Sequence, residues 1–162
     1  NTNRTEARYW IDDFLRVRQR QDNYHNTHNT LAMCKKYVTK HLSKEFEVSK
    51  ADQAELLNET MKYFQEQESF SMDDFSEKVI RQPEVVESFT RFRQEYEQDR
   101  DIRIEDEFGI SDSAVKKQAR SYKSVIKLDR NFHIYVHGNR NLLEQGEDEK
   151  GKFYKVYYEE EE

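Results

Sequence analysis

The sequence predicts an α+β fold: helices over about residues 1–120, a small three-stranded antiparallel sheet over about residues 121–158, and an acidic tail at 159–162. Three observations predict it. Apolar residues recur at helical spacing through the first two-thirds of the chain. From Lys123 onward the period switches to two, as in a half-buried strand. One Pro and four Gly leave little room for linkers, and 162 residues suit a single domain.

Trp10, Phe14, Val17, Tyr24, Leu31, Cys34 and Val38 mark a helix from about Thr5 and another from about Asp22 to Leu42, or one continuous helix. Ser49 reads as an N-cap with Asp52 three residues on, and Ala54, Leu57, Met61 and Phe64 form the stripe behind it. Ser71 caps a short helix carrying Phe75 and Val79, with Asp73 and Asp74 at the positive end of its dipole. Pro83 suits a first helical position, and Val85, Phe89, Phe92 and Tyr96 are the apolar face that follows. Ser111 caps a further helix through Ala114, Val115 and Ala119. Two strands then flank an Asp129-Arg130-Asn131 turn, with Ile126, Leu128, Ile134 and Val136 on one face, and Gly138 ends the second. Asn141 to Gln145 reads as a short helix closed by Gly146, and Phe153 to Tyr158 as the third strand.

Charged residues make up 37% of the chain, well above the roughly 25% of an average globular protein. Ten Phe, ten Tyr and one Trp supply core area in place of aliphatics. The single cysteine, Cys34, excludes an internal disulfide, and no apolar run approaches the length of a membrane span. A start at Asn1 fits a chain whose upstream half lies elsewhere. The net charge of −6 is unevenly spread. Residues 1–44 carry +5, residues 45–112 carry −12, residues 113–143 carry +6 and residues 144–162 carry −5. Such asymmetry speaks about partners rather than fold.

Catalytic and metal motifs are absent from the sequence. His25 and His28 share a helical face, but zinc needs three or four ligands and none is suitably spaced nearby. His133 and His137 stand about 13 Å apart on a strand, too far to share a metal. The pairs Asp12-Asp13 and Asp73-Asp74 and the run Glu105-Asp106-Glu107 fit helix starts and solvated stretches better than acid–base chemistry. Cys34 sits on an apolar stripe and reads as a core residue. No phosphate loop, dinucleotide fingerprint or nucleophile elbow occurs, so no cofactor is expected and the chain reads as non-enzymatic.

The strongest chemical signal is the basic stretch Lys116, Lys117, Arg120, Lys123, Lys127, Arg130 and Arg140, opposed only by Asp129 and interleaved with Tyr122, Phe132, Tyr135 and the two strand histidines. Clustered cations neutralise phosphates and release counterions, the footprint of nucleic-acid binding. The plainer alternative is a solvated face paired with the acidic middle of the chain. Phe108-Gly109-Ile110-Ser111 followed by Asp112 to Val115 also resembles the turn and opening of a recognition helix, with the later strands as a wing.

The run from Lys123 to Gly138, KSVIKLDRNFHIYVHG, resembles the C-terminal signature of the NdpA-type bacterial nucleoid-associated proteins. Tyr154-Lys155-Val156-Tyr157-Tyr158 before the final acids is similar to the family's ending. Asn3 to Trp10 and Phe46 to Asp52 extend the likeness over the whole chain. The resemblance implies a cytoplasmic protein on the nucleoid, the C-terminal half of a longer chain, involved in chromosome organisation and without catalysis. The expected function is binding of double-stranded DNA with little sequence preference through the seven basic residues. The rival is a protein-interaction module recruiting a DNA-processing partner through its acidic surface. A protein partner or a second copy of the chain is compatible with both; a membrane is not.

Overall fold

The computed structural model describes residues 22–137 and 140–162. The expected helix from about Thr5, with Trp10, Phe14 and Val17, lies outside the described residues, as do Asp12, Asp13, Gly138 and the Asn3–Trp10 motif.

Helix α1 spans Asn23–Lys36 and continues through a π-helical turn, Tyr37–His41, into α2, Leu42–Glu45. The Asp22 side chain caps it by accepting from the His25 amide at 2.9 Å. Helix α3, Lys50–Glu66, begins with the capping box expected from Ser49 and Asp52, and its Ala54, Leu57, Met61 and Phe64 are all buried. Ser71 accepts from the Asp74 amide and starts α4, Met72–Phe75, which runs into a second π-turn, Ser76–Ile80. Pro83 opens α5, Pro83–Arg100, whose face of Val85, Phe89, Phe92 and Tyr96 is buried as the spacing predicts. Helix α6 is Asp112–Ala119. No helix among the described residues is long and apolar enough to cross a membrane.

The core is built largely from rings. Tyr63, Phe64, Phe70, Phe75 and Phe108 interlock, with Phe64 stacked on Phe70 at 5.3 Å and Phe70 on Phe108 at 4.8 Å. The last contact comes from an element the sequence does not announce. Strands β1, Ser69–Ser71, and β2, Glu107–Gly109, pair antiparallel with Phe70 opposite Phe108. The mainly helical first two-thirds of the chain thus also holds a short two-stranded sheet. The residues before α6 form a strand rather than the first helix of a helix-turn-helix, because Phe108 must enter the core beside Phe70. Gly109 serves close approach, since a Cβ there would meet the Asn23 amide nitrogen at 2.6 Å.

The C-terminal part also departs from the expected three-stranded sheet. It is two separate hairpins, β3 (Val125–Leu128) with β4 (Phe132–Tyr135), and β5 (Leu143–Asp148) with β6 (Gly151–Val156). The expected helix over Asn141–Gln145 is reduced to a 3₁₀ turn, Arg140–Leu142. Two contacts explain the strand that replaces it. Leu143 packs with Ile126, Val136, Ala51 and Ala54 in a second small core. Gly146 does not end a helix but lies under the Phe153 ring, which would collide with any Cβ there. The third expected strand, Phe153–Tyr158, instead starts at Gly151, where φ is +120°, and pairs only with β5.

Candidate nucleic-acid interface

The basic residues are presented by two elements fixed to a common support. On α6, Ala114, Val115 and Gln118 are buried, and the helix packs against α1 and α3. A helix buried on that face turns Lys116, Lys117 and Arg120 outward, and all three are exposed. Lys116 and Arg120, four apart, share one side of the helix, with Lys117 about 100° round.

Tyr122 anchors the exit from α6. It is 4% exposed, and its hydroxyl donates to the Leu31 carbonyl on α1. Burial drives its pKa well above the ordinary tyrosine value, so it stays a neutral donor. The hairpin that follows lies on the first turns of α3. The Ser124 hydroxyl is shared between the Ala54 carbonyl at 3.2 Å and Asn58 Oδ1 at 3.0 Å, and Asn58 Nδ2 donates to the Val136 carbonyl at 3.0 Å. Ile126 is buried beneath the strands. Alternation then places Lys127 and its cross-strand partner His133 on the outer face. The hairpin closes where sequence analysis expects it. Asp129 and Arg130 both take positive φ, at 47° and 64°, and the Asn131 amide donates to the Leu128 carbonyl at 3.0 Å. The three residues between the paired Leu128 and Phe132 thus make the reversal, with Arg130 in the middle of the loop.

Lys116, Lys117, Arg120, Lys123, Lys127 and Arg130 are exposed, and none forms an ion pair with a described residue. The ion pairs of the acidic middle segment are made with cations outside these six. Arg93 bonds Glu97 and Asp106, Arg91 bonds Glu45 and Glu87, and Lys78 bonds Asp74. The seventh basic residue, Arg140, is placed differently. Its side chain is 22% exposed, donates to the Leu143 carbonyl and lies 3.5 Å from Asp52 at the start of α3. It braces the second hairpin against the helix that carries the first.

The remaining candidate residues have structural roles. His25 contacts its cap residue Asp22 at 2.7 Å. His28 bonds Gln118 at 2.9 Å, and burial, aided by the nearby Lys117 charge, lowers its pKa. Cys34 is buried in the core, where desolvation pushes its thiol pKa far up. Asp74 bonds the Tyr63 hydroxyl at 2.9 Å, and Lys78 holds its carboxyl below the usual range. No group of three or more His, Cys, Asp or Glu among the described residues is placed to hold a metal ion.

Sequence reasoning missed the supports. Asn58, Ser124 and Leu31 carry no local signal, because each acts on a partner more than sixty residues away. The rings of His133 and Tyr135 on β4, and of His137 just beyond it, share the outer face with Lys127.

Among known proteins, the family described as nucleoid-associated protein YejK matches the chain over residues 1–161. No curated protein and no solved structure matches it.

Proposed function

The chain belongs to the YejK nucleoid-associated protein family, and from that premise we propose that it binds double-stranded DNA, with little sequence preference and without catalysis, through Lys116, Lys117, Arg120, Lys123, Lys127 and Arg130. One observation carries the reading: these six cations stand exposed on α6, the β3–β4 hairpin and the segment that joins them, without a carboxylate partner among the described residues. Unpaired surface cations of one sign repel one another, and a polyanion relieves that repulsion by counterion release. Phosphate contacts position a protein on DNA but carry no base information, which fits a contact set made only of Lys and Arg. Arg140 acts here as a brace. The test is anisotropy of a labelled duplex of arbitrary sequence at several salt concentrations. Log affinity should fall linearly with log salt, by about 0.9 for each phosphate neutralised, and alike for unrelated sequences. Flat salt dependence or sharp sequence discrimination would contradict it.

A second reading has its own observation. A groove of about 690 Å³ beside the start of α5 is lined by Met72, Pro83 and Val86, by Arg81 and Arg93, and by more acids than bases, of which Asp73, Glu77 and Glu107 form no ion pair with a described residue. This acidic surface suits a protein partner with a basic segment. Reversing Glu77 and Glu107 to Lys should abolish capture of such a partner and leave duplex binding intact.

A further inference from the structure

The outer face of the β3–β4 hairpin carries more than charge. Tyr135 is 57% exposed, and its ring lies parallel to His137, with centroids 6.4 Å apart and planes 5° apart. Its hydroxyl has no hydrogen-bond partner among the described residues. His133, two residues earlier, is exposed on the same face. The three rings therefore form a row with a repeat of about 6.8 Å, two residues of strand rise. A row of cations runs beside it. Lys127 is the cross-strand partner of His133 and Val125 that of Tyr135. The ladder continues through the Val136 amide to the Ser124 carbonyl at 2.9 Å, which brings Lys123 opposite His137. Arg130 stands at the tip of the hairpin. The one carboxylate of this hairpin, Asp129, lies in the turn.

Rings kept for packing are covered, and these are not. An apolar protein surface laid over Tyr135 would strip water from Lys123 and Lys127 without supplying counter-charges, which is costly. A nucleic-acid strand supplies both missing partners, a base for each ring and a phosphate for each cation. Bases in a duplex are stacked on each other and do not offer free faces to such a row, whereas unpaired bases do. We infer that His133, Tyr135 and His137, flanked by Lys123 and Lys127, form a stacking platform for the unpaired bases of single-stranded DNA. The inference rests on the DNA-binding reading above and adds a ligand class to it. It would let the protein engage unwound regions of the chromosome as well as duplex.

The test compares oligo-dT, oligo-rU and a duplex on the full chain and on Tyr135→Ala/His137→Ala and Tyr135→Phe variants, with melting curves as controls. The double variant should lose about fivefold or more in affinity for the single strand. Its duplex affinity should change by less than about twofold, because duplex binding runs through phosphates. Tyr135→Phe keeps the ring and should bind oligo-dT like the parent. In a Tyr135→Trp chain, oligo-dT should quench fluorescence beyond the change seen in the parent, whose single Trp10 sets the background. A loss on oligo-dT supports the platform, with or without a loss on oligo-rU; a loss on oligo-rU alone, or a parent that binds oligo-rU but not oligo-dT, overturns its assignment to DNA. Unchanged single-strand affinity in a folded double variant overturns the platform, and so does an equal loss on duplex. A parent that binds duplex but neither oligonucleotide sinks this inference alone. A parent that binds none of the three sinks the DNA-binding reading with it.

Discussion

Asn58 and Ser124, sixty-six residues apart in the chain, meet at 3.0 Å beneath the basic hairpin. Asn58 also donates to the Val136 carbonyl at 3.0 Å, so one amide on α3 holds both strands. The charged face is thereby mounted on a helix whose other side is core. Asn58→Ala should lower stability by roughly 1–3 kcal/mol, because the Val136 carbonyl loses its side-chain donor and the Ser124 hydroxyl keeps only the Ala54 carbonyl. Hydrogen exchange should rise in residues 125–136 more than in α1 or α5. A uniform rise, or none, would show that the hairpin stands without this clamp.

The paired rings of β1 and β2 should be as important as any helix. Phe70 is 1% exposed and contacts Tyr63, Phe64, Phe75 and Phe108. Phe70→Ala should cost about 3–5 kcal/mol in urea unfolding, the range for a buried ring in a close-packed site. A loss below about 1 kcal/mol would mean that this part of the core collapses around the cavity.

The pH dependence of the α3 cap follows from Asp52. Partial burial works to raise its pKa, but hydrogen bonds from the Ser49 hydroxyl and amide, with Arg140 nearby, outweigh it and hold it below the ordinary 3.8. A carboxyl depressed in the folded state contributes stability above its unfolded pKa and loses it as pH falls through the folded value. Asp52→Asn should therefore be less stable than the parent at neutral pH, and the gap should close as the medium is acidified below 3.8. A gap independent of pH would show that the carboxylate charge plays no part.

Arg140 separates bracing from binding. Arg140→Gln removes its approach to Asp52 and its bond to the Leu143 carbonyl, so stability should fall by roughly 1 kcal/mol. The salt dependence of duplex binding should stay the same. A slope shallower by about 0.9 would return Arg140 to the phosphate-contacting set.

Much of this molecule is legible in its sequence where the cause is local. The Ser49–Asp52 box, the Pro83 start, the Val85–Tyr96 stripe and the Asp129–Arg130 turn each depend on residues within a few positions of one another. The misses are non-local. Nothing near Phe70 announces a strand; its partner Phe108 is thirty-eight residues away. Leu143 and Gly146 look like a helix and its stop until the second core and the Phe153 ring are in place. At the candidate interface the sequence shows the cations but not which are committed. Arg140 resembles the other six until its approach to Asp52 is seen.

The most direct test of the central claim is the salt dependence of duplex binding by a variant with Lys116, Lys117, Arg120 and Lys123 all replaced by Gln. All four are exposed, and each exposed change should alter stability by less than about 0.5 kcal/mol, so the variant should fold and a melting curve verifies it. If two or three of the four reach phosphates, the slope of log affinity against log salt should flatten by roughly 2–3 and affinity should fall alike for unrelated duplexes. A folded variant with the parent's affinity and slope would contradict the assignment of this face to DNA.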